Sequence, residues 1–222
     1  IIGPGNAYAT AAKRVLSNYI DSGLPAGPSE CIILADENAD PEKVALDWMI
    51  EAEHGPDSAA LLVTNCEELV YKAAEIVERQ LEKISDKRRE FVTTNFNTYG
   101  GAIITESLEE SIDFVNDYAP EHMEVMTKEP FVVLPKIKNA GEILLGDYTP
   151  VTLCNFVLGP NAILPTGQFA KTYSSVSVMD FLKRSSVGYA SRDGFEMVRD
   201  YAYKIATVEG FDTHALAVKE RK

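Results

Sequence analysis

The chain has 222 residues, of which 45% are hydrophobic and 25% charged, so it can bury a substantial core and is not expected to be disordered. Lys and Arg total 21 against 34 Asp and Glu, which gives a formal net charge of -13. A surface of that sign repels polyanions, which argues against a nucleic-acid partner. No apolar run approaches the ~20 residues that a membrane helix needs, so no membrane association is expected.

The ends and the cysteines bear on the cellular setting. The first residues, from Ile1 to Gly5, include neither an initiator Met nor the basic and apolar pattern of a signal peptide, so we expect the chain to begin inside a domain. Its three cysteines, Cys31, Cys66 and Cys154, are far apart and odd in number. That pattern argues against a disulfide framework and favours packing roles in a reducing cytoplasm.

Apolar runs alternate with helical patterns along most of the chain. Residues 7–21 have helical spacing, residues 31–35 form a short buried run, and Asp40 with Pro41 begins a helix that extends to about Glu53. The next elements are a strand at 59–63, a helix from Thr64 to about Lys83, a strand at 101–104, a helix from Ser107 to about Tyr118, an edge strand at 131–134 and a strand at 143–145. This order predicts an α/β fold with a doubly wound, mostly parallel, incomplete Rossmann-like sheet. From about Ser177 the pattern predicts a small helical C-terminal appendage, broken at Gly210.

Each of the three histidines has an acidic residue nearby, although a His beside an acid is more often structural than catalytic. Glu51 and His54 lie three residues apart, share a face of the predicted helix, and can bind one divalent metal. Because Gly55 and Pro56 end that helix, His54 is expected near the sheet edge where open α/β folds build sites. The alternative is a helix-terminal His whose charge suits the helix dipole.

Glu121 and His122 form an adjacent pair after Pro120, which ends the preceding helix. Neighbours on an extended segment point to opposite sides, so the two would not bond each other. In a loop, both can face one cleft, where one activates water while the other moves a proton.

Three loop segments are weaker candidates. Gly3, Pro4, Gly5 and Asn6 precede a helix and can present backbone amides to a phosphate, but they do not form a complete dinucleotide fingerprint. Ser29 places a hydroxyl just before a buried strand, although its segment also suits an ordinary turn. The segment 161–167 resembles a site loop without revealing its chemistry.

Taken in order, several segments resemble the histidinol dehydrogenase family. They are GPGNAYATAAKR at 3–14, PAGPSE at 25–30, AEHGPDS at 52–58, YAPEHMEV at 118–125, NAGEILLGDYTP at 139–150, GPNAILPTG at 159–167 and EGFDTHALAV at 209–218. The resemblance implies oxidation of an amino alcohol to an amino acid through an aldehyde, with two NAD molecules. It implies that Glu121 activates water, that His122 takes the alcohol proton, and that Ser29 and Glu209 contact the substrate.

The same resemblance implies a metal and a dimer. Glu51, His54, Asn155 and His214 stand where the family binds zinc, although manganese suits the same oxygen and nitrogen ligands. A homodimer is implied in which the tail that carries Glu209 and His214 completes the partner's site.

Two departures from the family concern the site. Asn155 stands at an aspartate ligand and Glu51 at a glutamine ligand, so the formal charge of the metal site is conserved. Ala162 and Val151 replace a histidine and a glutamate that would contact substrate. A site without those polar groups is expected to bind histidinol poorly and to prefer another small alcohol.

A third departure is length, because the resemblance begins well inside the family's sequence. We therefore interpret residues 1–30 as a remnant of a nucleotide-binding domain, 31–176 as the α/β core with the metal and substrate site, and 177–222 as a helical tail. The isolated chain is expected to be inactive. The alternatives are a dehydrogenase paralogue for another alcohol, a metal-dependent hydrolase that reuses the same ligands, and a degenerate fragment.

Overall fold

A computed structural model describes residues 7–221. The chain divides into two compact units, Ile1–Phe181 and Leu182–Lys222. The first includes the predicted sheet, and the second includes most of the predicted helical tail. Among the described residues, no helix is both long and apolar enough to cross a bilayer.

The first unit is built on a parallel sheet, as predicted. Its described strands are β1 (Glu30–Ala35), β2 (Ala59–Thr64), β3 (Gly101–Ile104), β4 (His122–Met126) and β5 (Glu142–Leu145). They lie in the order β3-β2-β1-β4-β5, and every neighbouring pair is parallel. The chain therefore winds outward from β1 in both directions, which is the doubly wound arrangement.

Helices cover both faces of this sheet. The helices of the first unit are α1 (Ala7–Leu16), α2 (Pro41–Trp48), α3 (Glu67–Leu81), α4 (Asp86–Phe96), α5 (Leu108–Tyr118), α6 (Pro130–Val133) and α7 (Val151–Phe156). Ile33 and Leu62 pack on one face in a cluster that includes Val44 of α2. Ile32 and Leu34 pack on the other face, in a cluster that includes Val115 of α5. Central strands covered on both faces explain the continuous apolar run at 31–35.

The cap predictions had mixed outcomes. The Asp40 side chain accepts from Glu42 N at 3.0 Å and Pro41 begins α2, as predicted. Ser107 caps α5 by accepting from Glu110 N at 3.2 Å. The prediction that the next helix begins at Thr64 was wrong, because Thr64 is the last residue of β2 and α3 begins at Glu67.

Two segments differ in type from their predictions. The edge strand predicted at 131–134 is α6 followed by a 3₁₀ turn, because Pro130 occupies the first turn of a helix, where its missing N–H costs nothing. The strand that pairs with β1 on the side opposite β2 is β4, which was predicted to be a loop. The helix α4 was missed. Trp48 anchors it, with its ring centroid 4.8 Å from that of Phe96.

The second unit is a helical pair, in agreement with the predicted appendage. It consists of α8 (Arg192–Val208) and α9 (Asp212–Lys219), separated at Gly210, whose φ of 74° suits glycine. Ser191 caps α8 by accepting from Gly194 N at 3.1 Å. No residue of α8 is buried, although the helix carries apolar side chains such as Tyr201 and Ile205.

Candidate active site

The predicted site residues of the first unit gather at the amino-terminal edge of the sheet. Ser29 directly precedes β1, Glu121 directly precedes β4, and His54 lies in the connection that leads into β2. The expectation that His54 lies at the edge usual for open α/β sheets, the carboxyl edge, was therefore wrong. The reason is topological: a crossover helix runs back against the strands, so the segment after α2 arrives at the amino edge.

His54 contacts both Glu51 and Ser29. Glu51 and His54 do not share an α-helix, because α2 ends at Trp48 and a 3₁₀ turn, Glu51–Glu53, follows. In a 3₁₀ turn residues i and i+3 are eclipsed, so the predicted pairing survives the change of helix type. The Nδ1 atom of His54 lies 3.3 Å from Glu51 Oε2 and 3.1 Å from Ser29 Oγ.

The surroundings of Glu51 suit a cation. The residue is completely buried and, apart from the 3.3 Å contact of Oε2 with His54 Nδ1, neither carboxylate oxygen has a polar partner among the described residues. The Oδ1 atom of Asn155, on α7, is likewise buried without a partner. A buried carboxylate in this state is costly unless a positive charge meets it, and an imidazole nitrogen beside it is a second suitable ligand. The described residues nevertheless hold no group of three or more His, Cys, Asp or Glu that is arranged for a metal.

Glu121 is a buried acid whose pKa lies near neutrality. It is 8% exposed, and its Oε2 accepts from the backbone N–H of Glu30 at 2.9 Å. Burial raises its pKa to about 7; the charge of His122 and the Glu30 bond lower it, and the charge of Glu51 raises it. A carboxylate with that pKa can accept and return protons at neutral pH, as a general base requires.

His122 is the first residue of β4 and is 3% exposed. Its Nδ1 lies 2.8 Å from Oε2 of Glu142, which faces it in the register of β4 with β5. Burial lowers the pKa of His122, but the bond to Glu142 and the nearby charges of Glu121 and Glu51 outweigh burial, so the pKa is raised.

The sequence analysis predicted no role for Glu142 and only a packing role for Cys154. The Cys154 thiol donates to Glu142 Oε1 at 2.7 Å, so both carboxylate oxygens of Glu142 are occupied. The available signal was the acid at the head of the predicted strand 143–145. It was not interpretable because β4, the strand that brings His122 opposite Glu142, was not recognised.

The residues at the family's substrate positions differ in their surroundings. Val151 is completely buried, and its N–H donates to Oε1 of Glu124 at 2.9 Å, so its side chain belongs to the core. Ala162 lies on an exposed loop. Neither side chain offers a polar group to a ligand.

The other predicted residues lie outside the first unit's described site. Glu209 is the C-cap residue that follows α8. His214 lies on α9, with its ring centroid 5.1 Å from that of Phe211, and both residues belong to the second unit. The proposed phosphate loop, Gly3 to Asn6, lies outside the described residues.

The doubly wound α/β unit thus carries a buried acid and a buried imidazole at adjacent positions, groups that can accept and return protons. Comparison with known proteins gives the family. A family model described as histidinol dehydrogenase matches residues 1–222. The chain therefore belongs to the histidinol dehydrogenase family.

Individual relatives agree with this assignment. The chain is 52% identical over 222 residues to a histidinol dehydrogenase of Synechocystis sp., covering 100% of this chain and 51% of the relative. It is 48% identical to a histidinol dehydrogenase homolog of Colwellia psychrerythraea, covering 98% of this chain and 49% of the relative. The crystal structure of histidinol dehydrogenase from Elizabethkingia anophelis superposes with a TM-score of 0.92 at 34% identity, covering 98% of this chain and 50% of that chain. The chain thus spans about half the length of the relatives it matches.

Proposed function

We propose that the protein containing this chain is an NAD-dependent, metal-assisted dehydrogenase that oxidises an alcohol, such as an amino alcohol, to an acid through an aldehyde. It would act in histidine biosynthesis if the alcohol is histidinol. The observation that carries the proposal is the buried pair Glu121 and His122, whose pKa values are both raised at the edge of the sheet. Membership of the histidinol dehydrogenase family supports it.

The two residues would divide the proton transfers between them. His122, as a neutral imidazole, takes the hydroxyl proton while the carbon that carries the hydroxyl is oxidised to an aldehyde. Glu121, as a carboxylate, takes a proton from the water that attacks this aldehyde, and a second oxidation gives the acid. NAD supplies the hydride acceptor in both oxidations. Ser29 and Glu209 are the proposed substrate contacts.

We assign the metal to Glu51, His54, Asn155 and His214. The buried oxygens of Glu51 and Asn155 support this assignment, since each lacks a hydrogen-bond partner among the described residues and each is a suitable oxygen ligand for a cation. When bound, zinc or manganese supplies a positive charge that stabilises a developing alkoxide. His214 would come from the partner in a homodimer with exchanged tails. The unburied apolar side chains of α8 favour such a contact, and its test is the molecular mass in solution.

The substrate is proposed to be a small alcohol other than histidinol. Val151 and Ala162 leave no polar side chain for an amine or an imidazole at the positions where the family has a glutamate and a histidine. A partner group that loses its hydrogen bonds on binding is rejected strongly. The test compares NAD reduction by the complete protein with L-histidinol and with other small alcohols. Turnover of L-histidinol at the rate of an authentic histidinol dehydrogenase would overturn this assignment.

The site itself is tested by metal analysis of residues 1–222 after dialysis. We expect stoichiometric zinc or manganese in the wild-type chain and its loss in His54→Ala. Glu53→Gln is the matched control, because Glu53 is the neighbouring carboxylate and faces Arg88 instead, at 4.0 Å. Absence of bound metal from the wild-type chain would overturn the assignment of a metal to these residues. Since relatives are about twice as long, we also expect residues 1–222 alone to reduce no NAD, and activity of the isolated chain would contradict this.

A further inference from the structure

The Glu142 carboxylate contacts His122 through one oxygen and Cys154 through the other. Its Oε2 lies 2.8 Å from His122 Nδ1, and its Oε1 lies 2.7 Å from Cys154 Sγ. The Glu142 side chain is 7% exposed, so water competes little for either oxygen. None of the roles proposed above uses this carboxylate.

The charge of Glu142 determines which imidazole nitrogen carries the proton. Burial raises the pKa of Glu142, but the bonds from His122 and Cys154 outweigh burial, so the pKa is lowered and the group is ionised. An ionised carboxylate can only accept hydrogen bonds, so Nδ1 of His122 must be the donor. In the neutral ring the unprotonated nitrogen is then Nε2.

The Cys154 thiol is a suitable second contact because an S–H group can donate to a carboxylate oxygen, and Sγ lies 2.7 Å from Glu142 Oε1. The thiol therefore donates to Oε1 and leaves Oε2 to the imidazole. A carboxylate fixed at both oxygens cannot rotate away from the ring without losing two charge-assisted bonds.

We propose that Glu142 is a positioning residue for His122: anchored by Cys154, it holds the imidazole as the Nδ1–H tautomer and presents Nε2 as the basic nitrogen. The proposal rests on the proposed function only in taking His122 as the base that removes the alcohol proton. A carboxylate that orients an imidazole in this way is a recurring device in acid–base catalysis.

The alternative is a merely structural pair that joins β4 to β5. The pH profile and kcat of the folded enzyme separate the two, because loss of a merely structural pair would lower stability and leave both unchanged. The other charged groups around His122 are Glu121, adjacent in sequence, and Glu51, on the 3₁₀ turn after α2. Neither is altered in the variants chosen, so a change in His122 is attributable to Glu142.

The first test is ¹⁵N NMR of the histidine rings in residues 1–222, where only three histidines contribute signals. We expect His122 in the wild type to be the Nδ1–H tautomer. In Glu142→Gln the carboxylate charge is removed at constant shape, and we expect the apparent pKa of His122 to fall by about one unit. Cys154→Ala should shift it in the same direction by less. Glu124→Gln is the control, since it alters another buried carboxyl of β4. An Nε2–H tautomer in the wild type, or no change in Glu142→Gln, would overturn the proposal.

The second test is kinetic and uses the complete enzyme. We expect Glu142→Gln to lower kcat for alcohol oxidation by about 10- to 100-fold with little change in KM, and Glu142→Asp to restore part of the loss. The acidic limb of the pH profile should move to lower pH, because a weaker base loses its proton earlier. If the wild type lacks dehydrogenase activity while the NMR result holds, the proposed function fails and the positioning role stands. If the wild type is active and Glu142→Gln matches it throughout, the positioning role fails alone.

Discussion

The two edges of the sheet differ in how well the carboxylates buried there are hydrogen-bonded. At the carboxyl edge, Asp36 accepts from Asn38 N, from Asn38 Nδ2 and from Lys128 N, and so joins the loop after β1 to the loop after β4. This is the position at which open α/β sheets usually bind ligands. At the amino edge, Glu51 is completely buried with no hydrogen-bond partner among the described residues, and Glu121 has a pKa raised to about 7.

The difference indicates which edge is used for chemistry. The carboxylate at the carboxyl edge is satisfied by its own loops and stabilises the fold. The buried carboxylate of Glu121 at the amino edge costs stability at pH values above its raised pKa, and groups with perturbed pKa values concentrate at functional sites. Buried atoms without partners also occur at the carboxyl edge, at Asn65 Oδ1 and Thr127 Oγ1, but both groups are neutral.

The largest expected effect is the loss of activity when His122 is changed to Asn. Without a base for the hydroxyl proton, kcat for alcohol oxidation by the complete enzyme should fall by about 100- to 10,000-fold. Asp36→Asn at the other edge is the control, and it should leave kcat of the folded enzyme within about 3-fold of the wild type because no substrate group is expected there. Steady-state NAD reduction measures both. Comparable losses in the two variants would remove the distinction between the edges.

Glu121→Gln tests the cost of the buried acid through the pH dependence of stability. The pKa of Glu121 rises from 4.5 to about 7 on folding, so its stabilising contribution is complete below pH 4.5 and is lost as pH rises through about 7. At pH 8 the wild type must hold a buried charge that costs about 3 kcal/mol, whereas Gln carries none and still accepts from Glu30 N.

The measurement is the free energy of unfolding of residues 1–222 in urea at several pH values. The variant should be more stable than the wild type by about 3 kcal/mol at pH 8, and this difference should decline towards zero below pH 4.5. A difference independent of pH would show that repacking, and not charge, is responsible.

Asp36→Asn should act on stability and not on chemistry. The amide retains one oxygen, but its NH₂ group now faces a backbone N–H that donated to the carboxylate. We therefore expect the free energy of unfolding to fall by about 1–3 kcal/mol. Glu37→Gln is the matched control on the exposed neighbour and should change little. Urea unfolding of the three proteins at pH 7 decides the matter, and an unchanged midpoint in Asp36→Asn would contradict the role given to this side chain.

The sequence predicted the fold better than the site. The run at 31–35 is apolar on both faces, so a central parallel strand was readable directly. The strand β4 was not readable, because the buried polar residues His122 and Glu124 interrupt its apolar pattern, and His122 belongs to the proposed site. The local conflict with strand patterning therefore occurs at the functional position.

Because β4 was not recognised, the residues that contact His122 through strand pairing could not be predicted either. Local spacing predicted the contact of Glu51 with His54, since residues i and i+3 lie on the same face of an α-helical or a 3₁₀ turn. No local rule connects His122 with Glu142, which is 20 residues away and meets it only through the register of β4 with β5. The anchoring by Cys154 depends on a further element, α7. Contacts of this kind follow from the three-dimensional pairing of strands and not from sequence spacing.

The smallest effect is expected at a helix cap on the carboxyl edge. Ser107 follows β3 and caps α5, so Ser107→Ala leaves the N–H of Glu110 without its acceptor and should cost about 1 kcal/mol. Ser107→Asp restores an acceptor and places a negative charge at the helix N-terminus, so it should regain most of that stability. Because no substrate or metal contact is proposed at this edge, neither variant should alter kcat of the complete enzyme. An equal loss of stability in both variants would show that the Ser107 hydroxyl matters for packing rather than for capping.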